Sequence, residues 1–145
     1  MANFAKGIFR IKNAKKYIGN KDPIYRSSWE FTFMNFCDSH PNIINWASES
    51  IKIPYKNPLT GKNTIYIPDF FIVYVDKTGK QKSELIEVKP ASQALRENVG
   101  RSKYNQASYV LNQAKWQAAA KWCKQNRIHF RIVTENDMFH RGRKK

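Results

Sequence analysis

The sequence predicts an α/β domain with an α+β-like order of elements, in which a mixed central β-sheet is flanked by helices. Two observations carry this prediction. A helix signal precedes several strand-like segments, and a long helical pattern after them is followed by one more strand. This last strand is expected to run parallel to an inner strand, because a crossover helix returns the chain in the same direction. A length of 145 residues fits one such domain.

The first helix is predicted to begin at Ser27 and to end near Ser39. Ser27 and Glu30 have the spacing of a capping box, in which a hydroxyl and a carboxylate three residues later satisfy free amides of the first turn. A proline two residues after Ser39 favours termination there. Three apolar side chains follow the cap at helical spacing: Trp29, Phe33 and Phe36.

Strands are predicted over 51–55, 64–67, 70–75 and 85–89. The first alternates apolar and polar residues, and a turn rich in Asn, Pro and Gly separates it from the second. Residues 70–75 are continuously apolar, which is typical of a central strand. A proline stops the strand that ends at residue 89.

The second half of the chain predicts a helix and a final strand. An apolar stripe runs through about residues 106–125, and 128–133 reads as a strand. Residues 91–105 are polar and predict no definite element.

The charge balance points to a polyanionic partner. The chain carries 26 Lys and Arg against 11 acidic residues, for a formal net charge of +15. Such a field favours nucleic acid first. An anionic membrane and a merely solvated basic surface are the alternatives. No apolar run approaches the roughly 20 residues that span a bilayer, so no membrane-spanning segment is expected. Nucleic acid, and not a membrane, is the expected partner, and nothing predicts a nucleotide cofactor.

The domain boundaries follow the distribution of charge. Residues 1–24 are predicted to be a basic arm that could lie along phosphates, with a frayed terminus as the alternative. The main folded domain is predicted over 25–140, and 141–145 form a basic tail. Cys37 and Cys123 lie in helical patterns and are expected to be buried free thiols, as suits a reducing cytoplasm. The histidines lack the spacing of a zinc site.

Asp69 and Glu87 are the candidate metal ligands. Asp69 opens the apolar strand, and Glu87 and Lys89 lie two apart on the next strand, where alternation points them to the same face. Two carboxylates on neighbouring strands can converge on a hard cation such as Mg²⁺, for which Mn²⁺ can substitute, and the Val88 carbonyl could add a ligand. The alternative is a cross-strand charge ladder on a solvated face.

Such a cation would polarise a phosphodiester and lower the pKa of a water molecule. Lys89 would position or activate that water, or neutralise charge at phosphorus, and the sequence does not choose among these roles. Glu30 is a further candidate whose capping role competes with metal binding. Glu49 is a weaker candidate, either an outer ligand or a loop acid. Arg26, Lys103 and Lys115 are weak candidates for DNA contacts, and for the two lysines a solvated helix face is an equally good explanation.

The chain resembles the PD-(D/E)xK nuclease superfamily at Pro68-Asp69 and Glu87-Val88-Lys89. It resembles one branch more closely, the head completion nucleases of T-even-type phages, which are similar to the nuclease subunit of Tn7-type transposases. The segments that carry this likeness lie between about residues 25 and 135: Tyr25-Arg26-Ser27-Ser28-Trp29-Glu30, Ile51-Lys52-Ile53-Pro54-Tyr55, Ile86-Glu87-Val88-Lys89-Pro90, Lys115-Trp116 and Phe130-Arg131-Ile132-Val133-Thr134-Glu135.

The resemblance implies a restriction-endonuclease-like core and Mg²⁺-dependent endonuclease cleavage of DNA, with Glu30, Asp69, Glu87 and Lys89 as the catalytic residues. It also implies a role in finishing the packaged phage head, so that phage head or portal proteins are expected partners. The host cytoplasm and the virion head are the expected locations. Two alternatives stay open: a non-enzymatic basic DNA-binding or virion structural protein, and a nuclease specific for branched DNA.

Overall fold

The computed structural model describes residues 6–91 and 103–139 of the chain. The elements in chain order are β1 (Gly7–Ile8), β2 (Ile24–Tyr25), α1 (Ser28–Ser39), β3 (Ile43–Ser48), β4 (Ile53–Lys56), β5 (Asn63–Tyr66), β6 (Phe70–Val75), β7 (Gln81–Val88), α2 (Lys103–Gln125), β8 (His129–Val133) and α3 (Glu135–Phe139).

A four-stranded mixed sheet with the order β3-β6-β7-β8 forms the centre of the described fold. β6 pairs antiparallel with both β3 and β7, and β8 pairs parallel with β7. The predicted fold class is therefore confirmed, including the parallel strand after the long helix. The apolar β6 lies inside the sheet, where both of its faces can be covered.

The two faces of the sheet build two apolar clusters. Strand alternation sends Phe70 and Ile86 towards α1, where they pack with Met34. The same alternation sends Leu85 to the opposite face, where it packs with Trp116 of α2. Each helix thus buries one apolar stripe on its own face of the sheet, as two-layer packing requires.

β4 and β5 form a separate antiparallel hairpin outside the four-stranded sheet. An isolated two-stranded hairpin is at best marginally stable in water. Here Ile53 and Tyr66 are buried in the cluster that contains Trp116, so α2 supplies the apolar surface that the hairpin needs. The predicted pair of strands around the turn at 57–61 is thus observed.

From Lys6 onward, the basic N-terminal segment packs against the domain. Phe9 is only 4% exposed and lies in the cluster beneath α1. The backbone amide of Lys12 donates to Asp38 Oδ2 at 2.9 Å, and Tyr17 packs edge-on against Trp46. The segment's strands, β1 and β2, have only two residues each, but its side chains are docked on the domain. Residues 1–5 and the basic tail lie outside the described residues.

The helices begin and end close to the predicted positions, with one helix missed. Ser27 is the N-cap of α1, as predicted. α2 begins three residues before the predicted start, and the short α3 was not predicted. Both cysteines are buried free thiols, as expected, and burial raises the pKa of Cys123 to about 11. Within the described residues, none of the helices has the length and apolarity needed to cross a bilayer.

Met34→Ala tests the packing of α1 on the sheet. Met34 is 0% exposed, and replacing such a side chain with alanine costs about 2–5 kcal/mol of unfolding free energy. Urea denaturation followed by circular dichroism should show this loss. Thr32→Ala, on the exposed side of the same helix, should change the unfolding free energy by no more than about 0.5 kcal/mol. Equal effects of the two substitutions would contradict the described packing.

Candidate active site

The site lies at the end of the sheet where β6 begins and β7 ends. Phe70 pairs with Ile86 in the antiparallel register, so Asp69 and Glu87 flank that pair on neighbouring strands. The amide of Val88 donates to Asp69 Oδ2 at 2.8 Å. In this bond the backbone of β7 donates to a side chain just before β6, and the Asp69 carboxylate is therefore held beside β7.

Glu87 is buried and held by two side chains. The Tyr66 hydroxyl donates to Glu87 Oε1 at 2.7 Å, and Lys89 Nζ lies 3.4 Å from Glu87 Oε2. Burial first, and then the adjacent Glu87 charge, raise the pKa of Tyr66 far above its usual range. The phenol is therefore a permanent donor, and it fixes one carboxylate oxygen of Glu87.

Asp69 is a carboxylate strongly perturbed by its surroundings. Burial raises the pKa of Asp69 well above its usual range, and the negative charges of Glu87 and Glu30 raise it further. The Val88 amide and the Lys89 ammonium oppose this shift. The structure thus brings the three predicted catalytic carboxylates near one another, where their like charges repel.

Glu30 occupies the third position of α1 and takes part in its N-terminal cap. The Glu30 amide donates to Ser27 Oγ at 3.1 Å. Glu30 Oε1 accepts from the amide of Arg26 at 3.0 Å, one residue before the Ser27 amide that the capping-box pattern predicts. Burial, followed by repulsion from Glu49 and Glu87, raises the pKa of Glu30.

Glu49 joins the site through its backbone and through an ion pair. Its amide donates to the carbonyl oxygen of Asp69 at 2.9 Å, and its φ of +50° lies in the left-handed region that L residues rarely adopt. Its carboxylate pairs with Arg26. Arg26, predicted as a weak DNA contact, is thus an exposed residue on the rim of the site whose guanidinium holds Glu49.

Lys115 of α2 reaches the site from the helical layer. Its Nζ lies 5.7 Å from the centroid of the Tyr66 ring. Burial and the nearby Lys89 ammonium lower the pKa of Lys115, whereas Glu87 and Asp69 raise it. Lys115 was predicted only as a weak DNA contact, and the structure places it over Tyr66, where it feels the charges of Glu87 and Asp69. Lys103, the third such candidate, is exposed at the start of α2.

Tyr66 is the residue at the site that sequence reasoning missed. The alternation of residues 64–67 gave one usable signal, because it turns Tyr66 to the same side of β5 as Thr64 and away from Ile65. Which residue that side meets depends on how the hairpin packs on α2, and strand alternation alone does not specify this.

The donor set has the chemistry of a site for a hard divalent cation. Asp69 and Glu87 offer carboxylate oxygens, which Mg²⁺ prefers, and a cation between them would relieve the repulsion that raises the pKa of Asp69. Within residues 6–91 and 103–139, no three side chains of His, Cys, Asp or Glu are close enough together to complete a metal site by themselves. Any cation here would therefore need water, backbone or substrate oxygens as further ligands.

Comparison with known proteins agrees with the motif-based resemblance. Residues 40–135 match the model of the family described as TnsA-like endonuclease N terminal. The chain is also 33% identical over 137 residues to the head completion nuclease of Enterobacteria phage T4, with 88% of this chain and 89% of that protein covered. The chain therefore belongs to the TnsA-like family of nucleases.

Proposed function

We propose that this protein is a divalent-metal-dependent endonuclease that hydrolyses phosphodiester bonds in DNA. The observation that carries the proposal is the convergence of Asp69, Glu87 and Lys89 at one end of the β6–β7 pair. The net charge of +15 supports a polyanionic substrate. Membership of a nuclease family supports the reaction class.

Asp69 and Glu87 would hold the cation directly, with the Val88 carbonyl as a further oxygen donor, and Glu30 would contribute through a water. Mg²⁺ is the proposed ion, and Mn²⁺ is the proposed substitute, because both accept carboxylate and carbonyl oxygens. When bound, such an ion polarises the phosphodiester and lowers the pKa of a nearby water.

The side chains around these ligands orient the reacting groups. Tyr66 donates to Glu87 Oε1, which leaves Oε2 on the side of Lys89. The half-buried Lys89 ammonium is placed to neutralise charge on a phosphate as the water attacks. Lys115 supplies a second positive charge from α2, so a phosphate at the site would be bound between two lysines that belong to different layers of the fold.

The proposed biological role is the completion of phage heads after DNA packaging. The name of the phage T4 relative supports this role, since the two chains align over most of their lengths. The protein would act on DNA in the host cytoplasm, in contact with head or portal proteins. A non-enzymatic DNA-binding role is the second candidate, favoured by the charge of +15 alone.

Asp69→Asn tests the metal site with little change of shape. The amide oxygen of asparagine can still accept from Val88, so the fold should be retained while one negative charge is lost. Cleavage of supercoiled plasmid DNA in Mg²⁺ should fall by about 100-fold or more, because loss of a ligand removes several kcal/mol of transition-state stabilisation. Mg²⁺ should raise the melting temperature of the wild-type protein and not that of the variant.

The control for this experiment is Asp22→Asn, an exposed position in the N-terminal segment. It removes the same charge and should leave cleavage and the Mg²⁺ response intact. Normal cleavage by Asp69→Asn would refute the proposal. A wild-type protein that binds duplex DNA and cuts it with neither Mg²⁺ nor Mn²⁺ would favour the non-enzymatic candidate.

Lys89→Met tests whether the lysine acts in the reaction or in DNA binding. Lys89 lies 3.4 Å from Glu87 and close to Asp69, so we expect its charge to act at the reacting phosphate. Single-turnover cleavage should fall by about 100-fold or more, whereas the Kd for duplex DNA in Ca²⁺ should change by less than a factor of about 10. Lys89→Arg, which keeps the charge, should recover part of the rate.

Lys80→Met serves as the matched control, because Lys80 is exposed in the turn at the far end of the β6–β7 pair. It should cut DNA at the wild-type rate. If Lys89→Met weakened binding in proportion to cleavage, Lys89 would be a DNA contact and not part of the reaction.

A further inference from the structure

The β4–β5 hairpin has one face turned away from the protein. The pairs Ile53↔Tyr66 and Tyr55↔Thr64 alternate with Pro54↔Ile65 and Lys56↔Asn63. Ile53 and Tyr66 are buried against α2, whereas the alternate pairs are exposed, together with the flanking residues 52 and 67. We call these exposed residues the outer hairpin face: Lys52, Pro54, Lys56, Asn63, Ile65 and Ile67.

The outer hairpin face combines positive charge with exposed apolar side chains. Residues 51–67 contain three lysines, Lys52, Lys56 and Lys62, and not one acidic residue. Ile65 is 55% exposed. It lies on a two-stranded ribbon, and strand edges of this kind can pair with another chain unless charge or packing prevents it. Lysine side chains can pair with phosphates, and an isoleucine side chain can contact the apolar parts of bases and sugars in a groove.

The hairpin is also attached directly to the candidate active site. Tyr66 lies on its inner side and donates to Glu87 Oε1 at 2.7 Å. Lys115 lies over the same tyrosine ring. The hairpin's position is therefore linked to that of Glu87 through Tyr66, while the outer hairpin face lies on the opposite side of the same ribbon.

We propose that the outer hairpin face binds in the major groove of duplex DNA beside the phosphate that is cut. This inference rests on the proposed function and adds the surface that holds the substrate. The major groove of B-form DNA is wide enough for a two-stranded β-ribbon. A second copy of this chain is a poor occupant, because each copy carries +15 and the lysines of the face would meet like charge.

The first experiment compares two pairs of lysines in the full chain, made inactive by Asp69→Asn. Lys52→Ala/Lys56→Ala removes two charges from the outer hairpin face. Lys77→Ala/Lys80→Ala removes two charges from the turn at the opposite end of the sheet. The probe is a short fluorescein-labelled duplex, and its Kd is measured by anisotropy at several salt concentrations in Ca²⁺.

The slope of log K against log salt concentration distinguishes direct lysine–phosphate contacts from the effect of the protein's overall charge. Each lost phosphate contact lowers its magnitude by about 0.9, so the hairpin pair should lower it by roughly 2. The control pair should leave the slope unchanged. Equal slopes for the two double variants would overturn the proposal, since the lysines would then act only through the overall charge.

Ile65→Gln tests the apolar part of the same surface without changing charge. It should weaken duplex binding at an unchanged salt slope, because the isoleucine contacts no phosphate. Unchanged affinity would contradict groove insertion. A wild-type dimer in sedimentation that Ile65→Gln dissociates would overturn the proposal in favour of a second copy on this face.

Failure of this inference can be told from failure of the proposed function. If the wild-type protein cuts DNA while both double variants bind alike, the outer hairpin face is not the DNA surface and the nuclease proposal stands. If the wild-type protein never cuts but the hairpin pair alone changes the salt slope, the surface is correct and the nuclease proposal fails.

Discussion

The hydrogen bond from the Val88 amide to Asp69 Oδ2 is the contact that makes the rest of the site possible. Asp69 lies beside Glu87 and near Glu30. The three negative charges repel one another, and this repulsion opposes ionisation of Asp69. A half-buried carboxylate tolerates such neighbours only when it accepts hydrogen bonds or meets a positive charge. Val88 supplies the bond from a strand that the ladder already holds in place, so the position of Asp69 depends on β-sheet pairing and not on a flexible side chain.

The backbone on the other side of Asp69 is constrained as well. Glu49 adopts a φ of +50° at the end of β3 and donates its amide to the Asp69 carbonyl. Such a conformation costs on the order of 1 kcal/mol or more for a residue other than glycine. Its ion pair with Arg26 ties the end of β3 to the residue just before the α1 cap. Asp69 is thus held by β7 through its side chain and by β3 through its main chain.

The sequence predicts those parts of the site that depend on local patterns. Strand alternation places Glu87 and Lys89 on one face, and the capping pattern places Glu30 at the start of α1. Tyr66 and the inward position of Lys115 could not be predicted in this way. Both depend on how the β4–β5 hairpin and α2 pack together, and this packing is fixed by a cluster of apolar side chains distant in sequence. The docking of Lys12 on Asp38 was missed for the same reason.

Glu30 combines a structural role with a place in the site because a carboxylate has two oxygens. The capping pattern alone predicts that the cap and a cation compete for the Glu30 carboxylate. In the structure the Arg26 amide occupies Oε1, and the Ser27 hydroxyl satisfies the Glu30 amide. Each carboxylate oxygen offers two lone pairs, so the cap uses only part of the acceptor capacity of Glu30. The cap thus holds Oε1 in place, and the remaining lone pairs of the carboxylate can still accept from a water or from the proposed cation.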